Sequence, residues 1–560
     1  MTTDQGNWFS DNGAGIWSIN SSYDPTYVGP LELSYQIDDG QGHSLAASQL
    51  LLVVAAAAND APTGSVTISG TASQGQTLTA ANSLVDLDGI PTAGTGAIRY
   101  QWKSNGTAIA GATASTYLLT ASEVGKTITV TAAYTDSHGT AESVTSLPTA
   151  AVLAGDTTPP ALSGIGLSGS SVALTFSEAL SASGLPTASA FVVQTVSGST
   201  VSTRSVSAVA IDPTDSTGRR ALLTLSGTAP AANVDLRVSY TDPSGNQATG
   251  VLQDQAGNDV ASFANQYATT FSSSISVTSL AANYSTLILT GSSAINGTGN
   301  AAANIITGNS AVNIITGGAG VDSMDGGSSG DIYIIANASE HTAAEIGDTG
   351  AVGVGIMDEL RFSATSTSAG ATLSVYAGDT GLERVIIGTG TGITATTTGT
   401  TALNINASAA LNSLEITGNN GANDLTGTAF ADTINGLGGN DTLTGGSGAD
   451  GFRFTSTPSS TSNRDLITDF TTGSDTLSFS RAIYAGFSSS ATAITSSQFL
   501  SGAGATAATS SSQRFLYDTS SGILSYDRDG ISSTYSPIQV AVLGVSTHTA
   551  LAYTDFVLTA

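Results

Sequence analysis

Eight oxygen-bearing residues recur every nine positions in two runs of four. Asn304, Asn313, Asp322 and Asp331 form the first run, and Asn423, Asp432, Asp441 and Asp450 the second. Carboxylate and amide oxygens repeated at one spacing suit a hard cation. Ca²⁺ takes six to eight oxygen ligands from carboxylates and backbone carbonyls.

The elements that must position these residues share the same period. From Gly299 the nonads read GNAAANIIT, GNSAVNIIT, GGAGVDSMD and GGSSGDIYI; from Gly418 they read GNNGANDLT, GTAFADTIN, GLGGNDTLT and GGSGADGFR. Position eight is always large and apolar: Ile306, Ile315, Met324, Tyr333, Leu425, Ile434, Leu443 and Phe452. One such residue per turn fills the core of a narrow solenoid. The three residues around it form a short strand, and the glycine-rich six form a turn in which left-handed angles and close backbone approach are tolerated. If successive nonads build opposite walls, each turn stacks on the next but one. Stacked strands lie about 4.8 Å apart, so their aspartates repel unless a cation lies between them. The expected pairs are Asn304 with Asp322, Asn313 with Asp331, Asn423 with Asp441, and Asp432 with Asp450, the last expected to bind tightest. Carbonyls exposed by the turn glycines Gly317, Gly318, Gly320, Gly326, Gly327, Gly436, Gly439, Gly445, Gly446 and Gly448 complete the expected ligand set.

This pattern resembles the RTX (hemolysin-type calcium-binding) repeat, G-G-x-G-x-D-x-U-x. GGAGVDSMD and GGSGADGFR fit every defined position, while GLGGNDTLT and GGSSGDIYI miss one glycine each. The asparagine-bearing turns depart further, offering a neutral amide in place of a charge. The resemblance implies a parallel β-roll over 275–454, with nonapeptide blocks at 299–334 and 418–453. Residues 335–417 read as a continuing, irregular solenoid, with Glu383 and Arg384 as surface charges.

Helical periodicity is scarce elsewhere, and short Val/Ile/Thr/Tyr runs between Gly, Asn, Asp and Ser predict an all-β chain. Proline-bearing hinges, NDAPTG at 59–64 and GDTTPP at 155–160, mark boundaries. Residues 1–60 resemble the last strands of a cadherin-like or VCBS-type sandwich, so the chain is expected to begin partway through a domain. Residues 61–154 resemble a bacterial Ig-like sandwich with Trp102 in its core. Residues 155–274 resemble a second Ig-like unit of the swimming-motility-associated type. Residues 455–560, with NRDLITDFTTGSDTLSFS and the closing DFVLTA, resemble the terminal cap and uncleaved export signal of type I secretion substrates.

Charge narrows the function. There are 42 acids against 14 bases, a formal net charge of −28. Nucleic-acid binding depends on basic patches, so that role is excluded. No apolar run approaches the length of about 20 residues needed to span a bilayer, and the N-terminus lacks the basic and apolar regions of a cleavable signal peptide. Without cysteine there are no disulfides or thiolate sites. GGSSG at 326–330 matches a nucleophile elbow, but it lies inside the repeat register without a βα unit, so Ser328 is not expected to be catalytic. The four histidines are scattered, and His341 to Glu345 does not match the zinc-protease spacing. The chain therefore reads as a non-enzymatic, extracellular, calcium-binding protein. Its expected partners are Ca²⁺, the type I secretion machinery and a cell-surface or extracellular ligand, as for an adhesin. The alternative is the accessory and secretion portion of a secreted hydrolase.

Overall fold

Short β-branched runs cut by glycine cannot sustain helices, and strands dominate the computed structural model. It describes residues 2–3, 9–11, 17–19, 29–38, 41–53, 59–243, 249–343, 345–350, 357–364 and 369–560. Among these residues the only helical elements are three-residue 3-10 turns. The chain divides into two units, 1–157 and 158–560.

In the first unit, Gly29–Asp38 pairs antiparallel with Ser44–Val53. Most side chains of the segment expected to be a partial cadherin-like sandwich lie outside the described residues. Residues 61–154 form two antiparallel sheets, one of three strands and one of four. Trp102 lies fully buried between them, stacks on Tyr117 and donates its indole N–H to the Ala114 carbonyl at 2.9 Å. Burying the ring while satisfying its one donor is how a tryptophan anchors such a core.

The second unit begins as a sandwich and becomes a roll without interruption. Leu162–Ser168 pairs in parallel with Thr270–Ser273, which pairs in parallel with Thr286–Leu289, and that strand with Ile305–Thr307. One eight-stranded sheet thus runs from the sandwich into one wall of the roll. The expected boundary at 274/275 is not a break, because the sandwich's last strand offers its free edge to the first rung of the roll and an uncovered edge would leave backbone groups unpaired. The boundary at 454/455 is likewise bridged: Gly451–Phe454 pairs with Thr476–Ser480, and Thr442–Thr444 with Asp465–Ile467.

The opposite wall is a ten-stranded sheet from Gly297–Thr298 to Phe556–Thr559, with every pairing parallel. All eight position-eight residues are buried. At the far end the C-terminal segment folds back. Phe479 stacks on Phe454, and its ring centroid lies 4.5 Å from that of Phe515, which lies 4.8 Å from that of Phe556. This aromatic cluster closes the apolar interior that a bare last turn would expose to water.

The two nonads that each lack one glycine still adopt the glycine conformation. Ser329 holds φ +95° where Gly320, Gly439 and Gly448 stand in their own turns, and Leu437 holds φ +68° where Gly446 stands. Left-handed backbone costs an L-residue about 1–2 kcal/mol. Ser329→Gly is therefore expected to raise stability by up to about 1 kcal/mol, after subtracting the entropy glycine adds to the unfolded chain. Ser328→Gly, at a neighbour without positive φ, should instead be neutral or destabilising. Thermal unfolding of the calcium-loaded chain compares the two.

Candidate calcium-binding roll

Each candidate carboxylate is placed by the strand it precedes. Strand Asp424–Thr426 aligns with Thr442–Thr444, and Thr433–Asn435 with Gly451–Phe454. The first block aligns Ile305–Thr307 with Ser323–Asp325, and Ile314–Thr316 with Ile332–Ile335. Every expected pair is therefore brought into stack at a separation of 18 residues. Within each pair the later carboxylate accepts the backbone N–H of the earlier residue. Asp322 Oδ1 accepts from Asn304 at 2.8 Å, Asp331 Oδ1 from Asn313 at 2.6 Å, Asp441 Oδ1 from Asn423 at 2.8 Å and Asp450 Oδ1 from Asp432 at 2.8 Å.

The turn glycines serve this stacking in two ways. A β-carbon at Gly317, Gly326, Gly436 or Gly445 would collide with the carboxylate five residues on, at Asp322, Asp331, Asp441 or Asp450. Gly318, Gly320, Gly327, Gly439, Gly446 and Gly448 have positive φ and lie against the backbone of the turn 18 residues earlier, where a β-carbon would also collide. The turns consequently press carboxylates and carbonyls together with no side chain between them.

The asparagines behave differently from the aspartates. Asn313 Oδ1 accepts the N–H of Asn309 at 2.8 Å, and its Nδ2 donates to the Ile295 carbonyl at 2.6 Å. Asn423 is held the same way, by the Asn419 N–H and the Leu403 carbonyl, and Asn304 by the Asn300 N–H and the Tyr284 carbonyl. Each amide thus satisfies donor and acceptor within the chain, and brings no charge to its pair. Asp432 is also saturated: Thr428 donates both its N–H and its hydroxyl to this carboxylate. By contrast Asp322 Oδ2, Asp331 Oδ2 and Asp441 Oδ2 are buried and have no hydrogen-bond donor. A buried carboxylate oxygen without a donor is costly unless a cation meets it. Open anionic oxygens against carbonyl-lined turns fit Ca²⁺. The hydrogen bonding therefore ranks the pairs differently from the sequence: the most open oxygens lie at Asp322, Asp331 and Asp441, not at Asp432.

Burial raises the pKa of these carboxyls. Asp322 and Asp450 are pushed up to about 6 and Asp331 to about 7, and Asp432 is also raised. Asp441 is raised by burial and by the facing Asp465.

The bonding pattern extends beyond the nonapeptides. Asp358 accepts the N–H of Asp331 at 2.6 Å and Glu383 that of Asp358 at 2.8 Å. Asp465 accepts from Asp441 at 3.1 Å and Asp475 from Asp450 at 3.0 Å. Sequence reasoning missed these four because their spacings, 24 to 27 residues, fall outside the 18-residue rule. The available signal was an acidic residue just before a β-branched or apolar strand. Glu383 is accordingly a member of the ladder and not a surface charge. Arg384 is half-buried, and its guanidinium reaches Glu415 at 3.2 Å. His341, one of the scattered histidines, is fully buried between Glu345 at 2.9 Å and Asp379 at 3.0 Å. Burial alone would lower its pKa, but the bonds to Asp379 and Glu345 raise it to about 9, so it works as an internal cation tying two turns together. Ser328 lies exposed in its turn.

Comparison with known families agrees with this geometry. The RTX calcium-binding nonapeptide repeat (4 copies) matches residues 298–333 and 417–452. A flagellar system-associated repeat matches residues 155–245. No curated protein sequence matches the chain. The chain thus carries two blocks of a calcium-binding repeat, with Ca²⁺ as their ligand.

If open oxygens set affinity, Asp441→Asn should weaken calcium binding by about tenfold or more, about 1.4 kcal/mol. Asp432→Asn should weaken it less. Isothermal titration of calcium into the chelator-stripped full chain measures both, and the reverse order would overturn this ranking.

Proposed function

We propose that this chain is an exported structural protein whose roll folds around calcium outside the cell. The observation that carries the reading is the row of buried carboxylates with open oxygens at Asp322, Asp331 and Asp441. In a low-calcium cytoplasm, carboxylate burial and glycine entropy oppose folding and leave the repeats extended for export. Outside, calcium neutralises the stacked turns, and binding free energy becomes folding free energy.

Resemblance of the C-terminal segment to type I secretion substrates supplies a route. The sheet that continues from the sandwich into the roll supports a surface or adhesin-like stalk, because a shared sheet resists bending at the junction. Ordered folding outside would stiffen the whole second unit.

Chelation of the full chain should remove a large part of the β signal in far-ultraviolet circular dichroism, and calcium should restore it. An unchanged spectrum would reject calcium-coupled folding.

The pKa shifts set the pH dependence. The unfolded carboxyls titrate near 3.8, whereas in the calcium-free roll Asp322 and Asp450 titrate near 6 and Asp331 and Asp358 near 7. Between these values the folded state binds more protons, so calcium-free stability is highest below about pH 4 and falls as pH rises through 6 to 7. Calcium binds the deprotonated groups, so its contribution grows over the same window. Thermal melts at pH 5 and pH 8, with chelator and with calcium, should show opposite trends.

A further inference from the structure

We propose that, where the first nonapeptide block ends, Asp331 of the ladder joins two carboxylates from outside the blocks, Asp348 and Asp358, in one calcium site. One carboxylate oxygen of each residue lies within 4.8 Å of the others, and all three side chains are buried.

The register explains how this cluster arises. Met324 pairs in parallel with Ile346. Two residues further on, Asp348 therefore stacks where the repeat places its first glycine, Gly326. A third carboxylate thus enters a position that is side-chain-free in the regular turns. Asp358 arrives from the other side as the residue before strand Glu359–Phe362, which pairs with Ile332–Ile335. Gly350 stacks against the Gly327 carbonyl so closely that a β-carbon would collide with it.

The hydrogen bonds leave the cluster short of positive charge. Asp348 accepts from the Tyr333 hydroxyl at 2.6 Å and from the Gly350 N–H at 2.8 Å. Asp358 accepts from the Asp331 N–H, and Asp331 Oδ1 from the Asn313 N–H. Asp331 Oδ2 is buried and has no donor, so it brings an open acceptor to the group. Among the described residues, the nearby basic side chains are engaged elsewhere: Arg361 with Glu359, Arg384 with Glu359 and Glu415, His341 with Glu345 and Asp379. Three buried carboxylates without a counter-ion call for a cation with oxygen preference. Calcium accepts six to eight oxygen ligands in flexible geometry, so three carboxylates gathered from different turns suit it. Such an ion would tie the last regular turn to the irregular one that follows it. Asp348 and Asp358 lie outside both repeat blocks. The inference draws on the calcium reading of the roll only for the identity of the ion.

The test is the calcium stoichiometry of the full chain, stripped with chelator and titrated by calorimetry, for wild type, Asp348→Asn and Asp441→Asn. The expected result is that folded Asp348→Asn binds one ion fewer than wild type, while Asp441→Asn shows its own defect. Calcium binding by wild type with undiminished stoichiometry in folded Asp348→Asn would overturn the site and leave the repeat reading standing. A wild-type chain that binds no calcium would overturn both. Should Asp348→Asn fail to fold, terbium replaces calcium as the probe, because the Tyr333 hydroxyl touches a proposed ligand and its ring can sensitise a bound lanthanide. A drop in tyrosine-sensitised terbium emission in Tyr333→Phe supports the site, and full emission in that variant overturns it.

Discussion

The second unit depends on one repeated interaction, a buried carboxylate that accepts the peptide N–H of the residue it stacks upon. The bond satisfies a donor that a tight turn would otherwise strand in the interior. It also places negative charge where water cannot reach it. Stacking and charge burial are thus the same event, and the roll is stable only to the extent that something compensates the charge. Asparagine at position six removes the charge and closes the turn with its own amide, as Asn313 and Asn423 do. Aspartate with a nearby donor is partly quenched, as Asp432 is by Thr428. Aspartate without such a donor needs a cation.

That constraint accounts for the other peculiarities of the unit. Glycine is frequent because the space beside each carboxylate must stay free of side chains, and because the turns stack carbonyl against backbone. The core is one residue wide per rung, so each position-eight side chain is buried and none is interchangeable with a polar residue. A column this narrow has open ends, and both are covered. The sandwich sheet covers one by continuing into the wall, and the aromatic cluster around Phe479 covers the other.

Much of this is legible in the sequence. The nine-residue period identified the core residues and, through the opposite-wall argument, which turns stack. The tryptophan on a strand flanked by alternating residues identified the core of the 61–154 sandwich. The ladder members outside the blocks were not legible. Asp358, Glu383, Asp465 and Asp475 take the same structural position as the repeat aspartates, but loops of varying length precede them. Spacing along the chain then no longer reports height along the roll. His341 was opaque for a related reason, since its second partner, Asp379, lies 38 residues away.

By itself the sequence determined the all-β class, the repeat, the residues facing inward and the kind of ion the turns suit. These follow from local chemistry: a fixed period specifies register, and residue type specifies side-chain hardness and size. Only the tertiary structure decided which carboxylate oxygens stay open, how far the ladder runs past the repeats, and that sandwich and roll share a sheet. Those outcomes depend on which donors and strand edges arrive from distant parts of the chain. Hydrogen bonds saturate, so the first donor to reach an oxygen alters what a cation can do there, and no period in the sequence records which donor that is.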